Sequence, residues 1–145
     1  GKLVLAGQYY KYISDGHLNS LCSAHGISFT KTEIIDDVSN TGENYYPLIR
    51  ITEGSRLWDE GVREVHLANC CALAVIDGQG ILNCGPSAIV IGPDGHEASM
   101  EPCFLATSGD RKILCIGSST ILTTTLYRAD NYRFIKLEIS DFISG

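Results

Sequence analysis

The sequence predicts an all-β domain, an antiparallel jelly-roll or β-sandwich barrel with one short helix near the N-terminus. Three observations carry that expectation. First, residues 63–107 hold two short apolar runs, 73–76 and 88–91, closed by Asp77-Gly78-Gln79-Gly80 and Gly92-Pro93-Asp94-Gly95. Runs this short, bounded by Asp-Gly turns, read as buried strands of an antiparallel sheet. Second, about eight to ten segments of this kind follow one another along the chain, the pattern of a sandwich or barrel. Third, helical periodicity is confined to about residues 15–25, where Leu18, Leu21, Cys22 and His25 fall at i, i+3, i+4 and i+7.

The elements follow in order. Residues 3–13 open as a strand rich in Tyr and branched side chains. Ser14 or Asp15 caps the short helix and Gly26 closes it; about three turns need packing against a sheet to persist. Residues 27–35 return to extended character, and 36–44, polar and Gly-bearing, form a loop. Residues 45–52 form a strand in which Pro47 restricts pairing to an edge or to the part after it. Residues 53–62 are a loop with the only tryptophan, Trp58, which either lids a pocket or covers the end of a core. After a turn at 108–111, residues 112–117 read as a buried strand, and 118–128 with 132–139 as a hairpin. In the last segment Arg133, Ile135, Leu137 and Ile139 alternate with Tyr132, Phe134, Lys136 and Glu138, giving a largely apolar and a mixed face.

Length and charge bound the function classes. The 145 residues fit one domain, 1–145, large enough to bury a core without disulfide staples. A net charge of −6 with scattered Lys and Arg argues against nucleic acid as a partner, because phosphate contacts need clustered positive charge. No apolar run is long enough to span a bilayer, so no membrane is expected as a partner. No basic stretch leads into an apolar one as in a signal peptide. Six cysteines stand at 22, 70, 71, 84, 103 and 115. Several lie in apolar runs, where cysteine behaves as a small hydrophobe, and adjacent Cys70 and Cys71 point to opposite faces of a strand. Reduced, structural cysteines and a cytoplasmic setting are the expectation.

Four pieces of residues 48–117 together resemble the cupins, the small jelly-roll barrel family, and remotely its ectoine-synthase type. They are LIRITEGSRLW at 48–58, ALAVIDGQGIL at 72–82, AIVIGPDGHEAS at 88–99 and KILCIG at 112–117. The resemblance implies a single cupin-like barrel domain that binds or transforms a small polar metabolite, as a lyase, isomerase or cyclase. It implies His96 and Glu60 as acid–base residues, with Trp58 near the barrel mouth. The family's first motif carries a His-x-His pair and a downstream Glu; here that region offers Trp58-Asp59-Glu60 and then Cys71. A metal site would draw on His96, Glu60, His66 and Cys71, whose imidazole, carboxylate and thiolate groups suit a divalent transition metal.

Other constellations carry potential chemistry. His17, Cys22 and His25 on one short helix offer zinc ligands, although His17 does not share the face of the other two. His25, Asp36 or Asp37, and Cys84 stand in the order of a cysteine protease, which would need a base within reach of the thiol. The glycine turns have the simpler role of supplying positive φ to hairpins. A second class of function is a non-catalytic β-sandwich serving as a structural or assembly subunit, as in a virion or appendage. Residues 119–126 carry no charge, and the first strand has only Lys2 and Lys11 flanking its interior. Such edges favour a homo-oligomer, a symmetric dimer first.

Overall fold

The computed structural model describes residues 1–12, 16–98 and 101–145. Its elements run β1 (Leu3–Ala6), α1 (Gly16–Cys22), β2 (Ile27–Phe29), β3 (Glu33–Asp36), β4 (Leu48–Arg50), α2 (Arg56–Asp59) and β5 (Glu64–His66). There follow β6 (Leu73–Val75), β7 (Gly78–Asn83), β8 (Ala88–Ile91), β9 (Glu97–Ala98), β10 (Cys103–Ser108), β11 (Ile113–Ile116) and α3 (Asn131–Ser144).

A continuous apolar run needs apolar neighbours on both faces, and β11 finds them. All four of its residues are buried, between β1 and β10 in a sheet of order β1-β11-β10-β7. Ile113 and Cys115 join Leu5 and Ala106 in a core with Cys22 of α1, Ile27 and Phe29 of β2, and Leu73 of β6. Leu114 and Ile116 point the other way, into a larger core with Leu57 of α2, Val65 of β5, and Phe134, Ile135 and Phe142 of α3. Phe104 and Leu105 are consecutive yet share that larger core, because register shifts interrupt the β10–β7 ladder on either side of Leu105.

The β-rich expectation holds, with strands in several small sheets and a few helices. The closed barrel is corrected. The remaining strands pair as β2–β6, β3–β8–β9 and β4–β5, and among the described residues no sheet closes on itself. The two apolar runs at 73–76 and 88–91 do not share a sheet: β6 pairs with β2, and β8 with β3. The pairing is also not purely antiparallel, since β1 runs parallel to β11. Gly78 and Gly80, read as turn residues, lie inside β7. A Cβ on Gly78 would stand 2.3 Å from the Thr107 carbonyl oxygen, so close strand approach is the reason for glycine there.

The helices need a second correction. Residues 56–59, read as loop, form α2, with the Ser55 hydroxyl accepting from the Trp58 amide at 3.3 Å. Residues 118–139 are not a hairpin. Ser119–Leu122 is a 3₁₀ turn and Asn131–Ser144 is a 14-residue helix. Its buried positions, Asn131, Phe134, Ile135, Glu138 and Phe142, follow a helical period. Two of those five are polar, which leaves the alternation of Ile135, Leu137 and Ile139 as the visible apolar pattern. With 119–126 not extended, the uncharged edge expected there does not exist, and β1 alone of the two proposed strands lies at a sheet edge. The expected caps Ser14 and Asp15 lie outside the described residues. Among those residues no helix is long and apolar enough to cross a membrane.

Candidate functional site: a tyrosine-rich interaction surface

The chain has seven tyrosines: Tyr9, Tyr10 and Tyr12 follow β1, Tyr45 and Tyr46 precede β4, Tyr127 precedes α3 and Tyr132 stands in its first turn. The construction starts at Asn69, a non-glycine residue at φ 52°. Its carbonyl accepts from the Tyr9 amide at 2.7 Å, and its own amide donates to the Tyr45 carbonyl at 3.1 Å, so two loops are strapped to one residue. Tyr9 packs edge-on against Tyr10 and Tyr12, with ring centroids 4.9 and 5.3 Å away. Tyr45 packs on Tyr46 at 4.5 Å, and Tyr46 stands edge-on to His66 at 6.1 Å. Tyr127 and Tyr132 stack at 5.7 Å, and Asn131, next to Tyr132 in the chain, is hydrogen-bonded to the His66 backbone. Tyr12, Tyr127 and Tyr132 are exposed by 66%, 81% and 51%. Exposure of that size leaves rings available to a partner.

The electrostatics tie Tyr45 to Tyr46 and Tyr12. The Glu43 carboxylate, ahead of burial and the Tyr46 and Tyr12 phenols, pushes Tyr45 up. Burial raises Tyr9 against a hydrogen bond from Lys11 that lowers it. His66 is pushed down, first by burial and then by the Arg128 guanidinium. His66 is buried, and its Nε2 lies 2.9 Å from the Thr41 hydroxyl.

A depressed imidazole has a definite pH signature. The folded state disfavours His66⁺, whereas an unfolded histidine titrates near pH 6.5. Its contribution is therefore fully present above about pH 6.5 and is lost as pH falls toward the folded value. Urea unfolding at neutral and mildly acidic pH should show a smaller acid loss for His66→Gln than for the parent chain. Equal losses in the two proteins would remove this assignment.

The residues read from sequence as catalytic or binding are dispersed. His96 is exposed on the turn between β8 and β9, its amide on the Asp94 carboxylate at 3.0 Å. Glu60 is exposed at the C-terminal cap of α2, and Trp58 lies half-buried in the same helix. His66 sits in β5, and Cys71 is fully buried in the smaller core, its amide donating to the Gly117 carbonyl at 3.0 Å. The structure thus brings Glu60 and Trp58 together and places His96 in another sheet region. Among the described residues no group of three or more His, Cys, Asp or Glu could hold a metal ion. The donor set implied by the resemblance does not fit the metal.

The protease-like order also comes apart. Cys84 is buried and burial pushes its thiol up, so the reactive thiolate is disfavoured. Asp36 is buried and holds the Val38 and Ser39 amides and the Ser87 hydroxyl. His25 meets Asp110 instead, at 2.7 Å. Asp110 is lowered to about 2 by the Ser108 hydroxyl, the Lys112 amide and His25. Its carboxylate stands between hydroxyl and imidazole, bonded to each, which is not the order of a Ser-His-Asp triad.

The architecture is thus a layered β-rich domain presenting an aromatic surface, with no converging acid–base pair among the predicted residues. The chain matches no known family profile and no curated protein sequence. Among solved structures it is similar to one described as the mmIFT52 N-terminal domain, with a TM-score of 0.74 at 14% identity. The likeness covers 97% of this chain and 64% of that one, so this chain spans under two thirds of its neighbour's length. At this identity the likeness establishes the fold. It also corrects the expectation of a cupin-type enzyme acting on a small metabolite, since the fold this chain shares is that of the mmIFT52 N-terminal domain and, among the described residues, no sheet closes into a barrel.

Proposed function

We propose that this chain is a non-catalytic domain of a protein assembly, of the kind an intraflagellar transport subunit carries, and that it meets its partner through the tyrosine surface. The observation that carries this reading is the fold likeness to the mmIFT52 N-terminal domain over nearly the whole chain. The surface supports it independently. Tyrosine and arginine are enriched at the energetic centres of protein interfaces, because each buries a large area while keeping a polar end satisfied. Here Tyr12, Tyr127 and Tyr132 stand exposed, and the exposed Arg128 follows Tyr127 in the chain. Their rings are already held against neighbouring rings, so docking would order few free rotamers.

The triple variant Tyr12→Ser, Tyr127→Ser, Tyr132→Ser tests the reading. Native mass spectrometry of the tagged protein purified from its own cells should show a stoichiometric complex. The variant should lose it by about a hundredfold in affinity, since an interface hot spot is worth about 2 kcal/mol or more. Its melting temperature should stay near that of the parent. A complex unaffected by the triple change, or a chain purified only alone, would sink the proposal.

A further inference from the structure

Beside the stacked Tyr127 and Tyr132 lies a patch of cations that this acidic chain leaves unpaired. Arg63, Arg128, Arg133 and Lys136 are exposed, and among the described residues none of them makes an ion pair. Two are held in place by the end of α2. The Arg63 guanidinium lies 3.8 Å above the centre of the Trp58 ring and donates to the Trp58 carbonyl at 2.5 Å. Arg133 reaches across from α3 and donates to the Glu60 carbonyl at 3.5 Å. Gly61, at φ +88°, makes room for it, because a Cβ there would stand 2.4 Å from the Arg133 Nη1. The neighbouring acids keep their own charges but are turned elsewhere: Glu64 pairs with Arg50, and the Asp130 carboxylate accepts from the Arg63 and Glu64 amides. Among the described residues neither Asp59 nor Glu60 forms an ion pair with these cations, so the cations' N–H donors meet no carboxylate of this chain.

We infer that this patch is a docking site for an acidic segment of a partner protein, with Arg63 and Arg133 as its fixed guanidinium anchors and Arg128 joining it to the tyrosine surface. The inference rests on the assembly reading above and names the chemistry of the partner. Charge complementarity argues for that occupant. With a net charge of −6 the chain as a whole repels acidic polymers, so attraction must come from a local cluster. Guanidiniums held over an aromatic ring and on carbonyl oxygens keep N–H donors over for the planar fork that carboxylates match.

The probe is a fluorescein-labelled oligoglutamate followed by anisotropy at low ionic strength. It should bind, and binding should weaken as salt shortens the range of the attraction. Arg63→Glu with Arg133→Glu should weaken it at least about tenfold, and Lys31→Glu with Lys112→Glu, the same charge change elsewhere, much less. Because Arg63 also braces α2, the exposed pair Arg128→Gln and Lys136→Gln serves as a second variant and should weaken binding in the same direction. No binding by the parent chain, or equal losses in the two glutamate double variants, would overturn the inference. A native complex that survives Arg63→Glu with Arg133→Glu but is lost in the tyrosine variant would overturn the acidic segment alone and leave the assembly reading standing.

Discussion

Replacing Arg56 by methionine is expected to destabilise the chain by about 2–3 kcal/mol at neutral pH, read as a shift of the urea midpoint. Arg56 opens α2 and forks onto α3, meeting the buried Glu138 carboxylate through Nη2 and the exposed Asp141 through Nη1 at 2.8 Å. The methionine variant leaves Glu138 buried without its cation, and stranding one member of a buried pair costs about 3–5 kcal/mol. The expected loss sits at or just below the lower end of that range because the Arg56 side chain is half exposed, so water screens the pair. The loss should depend on pH in a particular direction. Burial already raises Glu138, and Arg56 is the chief group holding it down. Without Arg56 the folded carboxyl binds its proton more tightly than the unfolded one, which titrates near 4.3. The variant is then close to the parent below about pH 4 and falls behind as pH rises through the folded value. Glu138→Leu removes the charge and the need for it together, and should be close to neutral. A Glu138→Leu loss as large as that of Arg56→Met would show that the pair stabilises on its own account.

That carboxylate also explains which parts of the fold were legible in the sequence. Helix α3 places Phe134, Ile135, Glu138 and Phe142 on its buried side, and with leucine at 138 the i, i+4, i+8 spacing would have been plain. A paired acid in the core hid the helical period and left a strand-like alternation in view. By contrast, β11 was legible because its burial on both faces writes itself as an unbroken apolar run. The short strands around 73–75 and 88–91 were legible as strands, but their partners β2 and β3 were not. Partner choice there depends on which sheet each joins, and a strand of three or four residues carries too little pattern to specify it. The interaction surface was invisible for a related reason. Its tyrosines come from positions 9–12, 45–46 and 127–132, and only the strap through Asn69 and the contacts of His66 bring those loops together.

The residue that fastens the last of those loops gives the second large effect. Asn131→Ala is expected to cost about 3 kcal/mol or more in urea unfolding. Asn131 is fully buried at the first turn of α3, where its Oδ1 accepts from the His66 amide at 2.8 Å. Its Nδ2 donates to the His66 carbonyl at 2.8 Å and to the Thr125 carbonyl at 2.7 Å. Alanine leaves the His66 amide and the His66 carbonyl buried without the Asn131 side chain, each costing about 1–3 kcal/mol with some relief where water enters, while the Thr125 carbonyl keeps the Arg128 amide at 3.0 Å. Asn131→Asp separates hydrogen bonding from shape. It keeps the acceptor for the His66 amide but turns a charged oxygen toward two carbonyls, so its folded carboxyl is raised. That variant should be worst at neutral pH and should recover as pH falls through the raised value, because a protonated Asp regains one donor. Hydrogen exchange gives the local readout: the His66 amide should lose protection in both variants, while the Cys115 amide in β11 should lose only what the global destabilisation requires. If the His66 amide stays as protected as in the parent, Asn131 is not what joins α3 to β5.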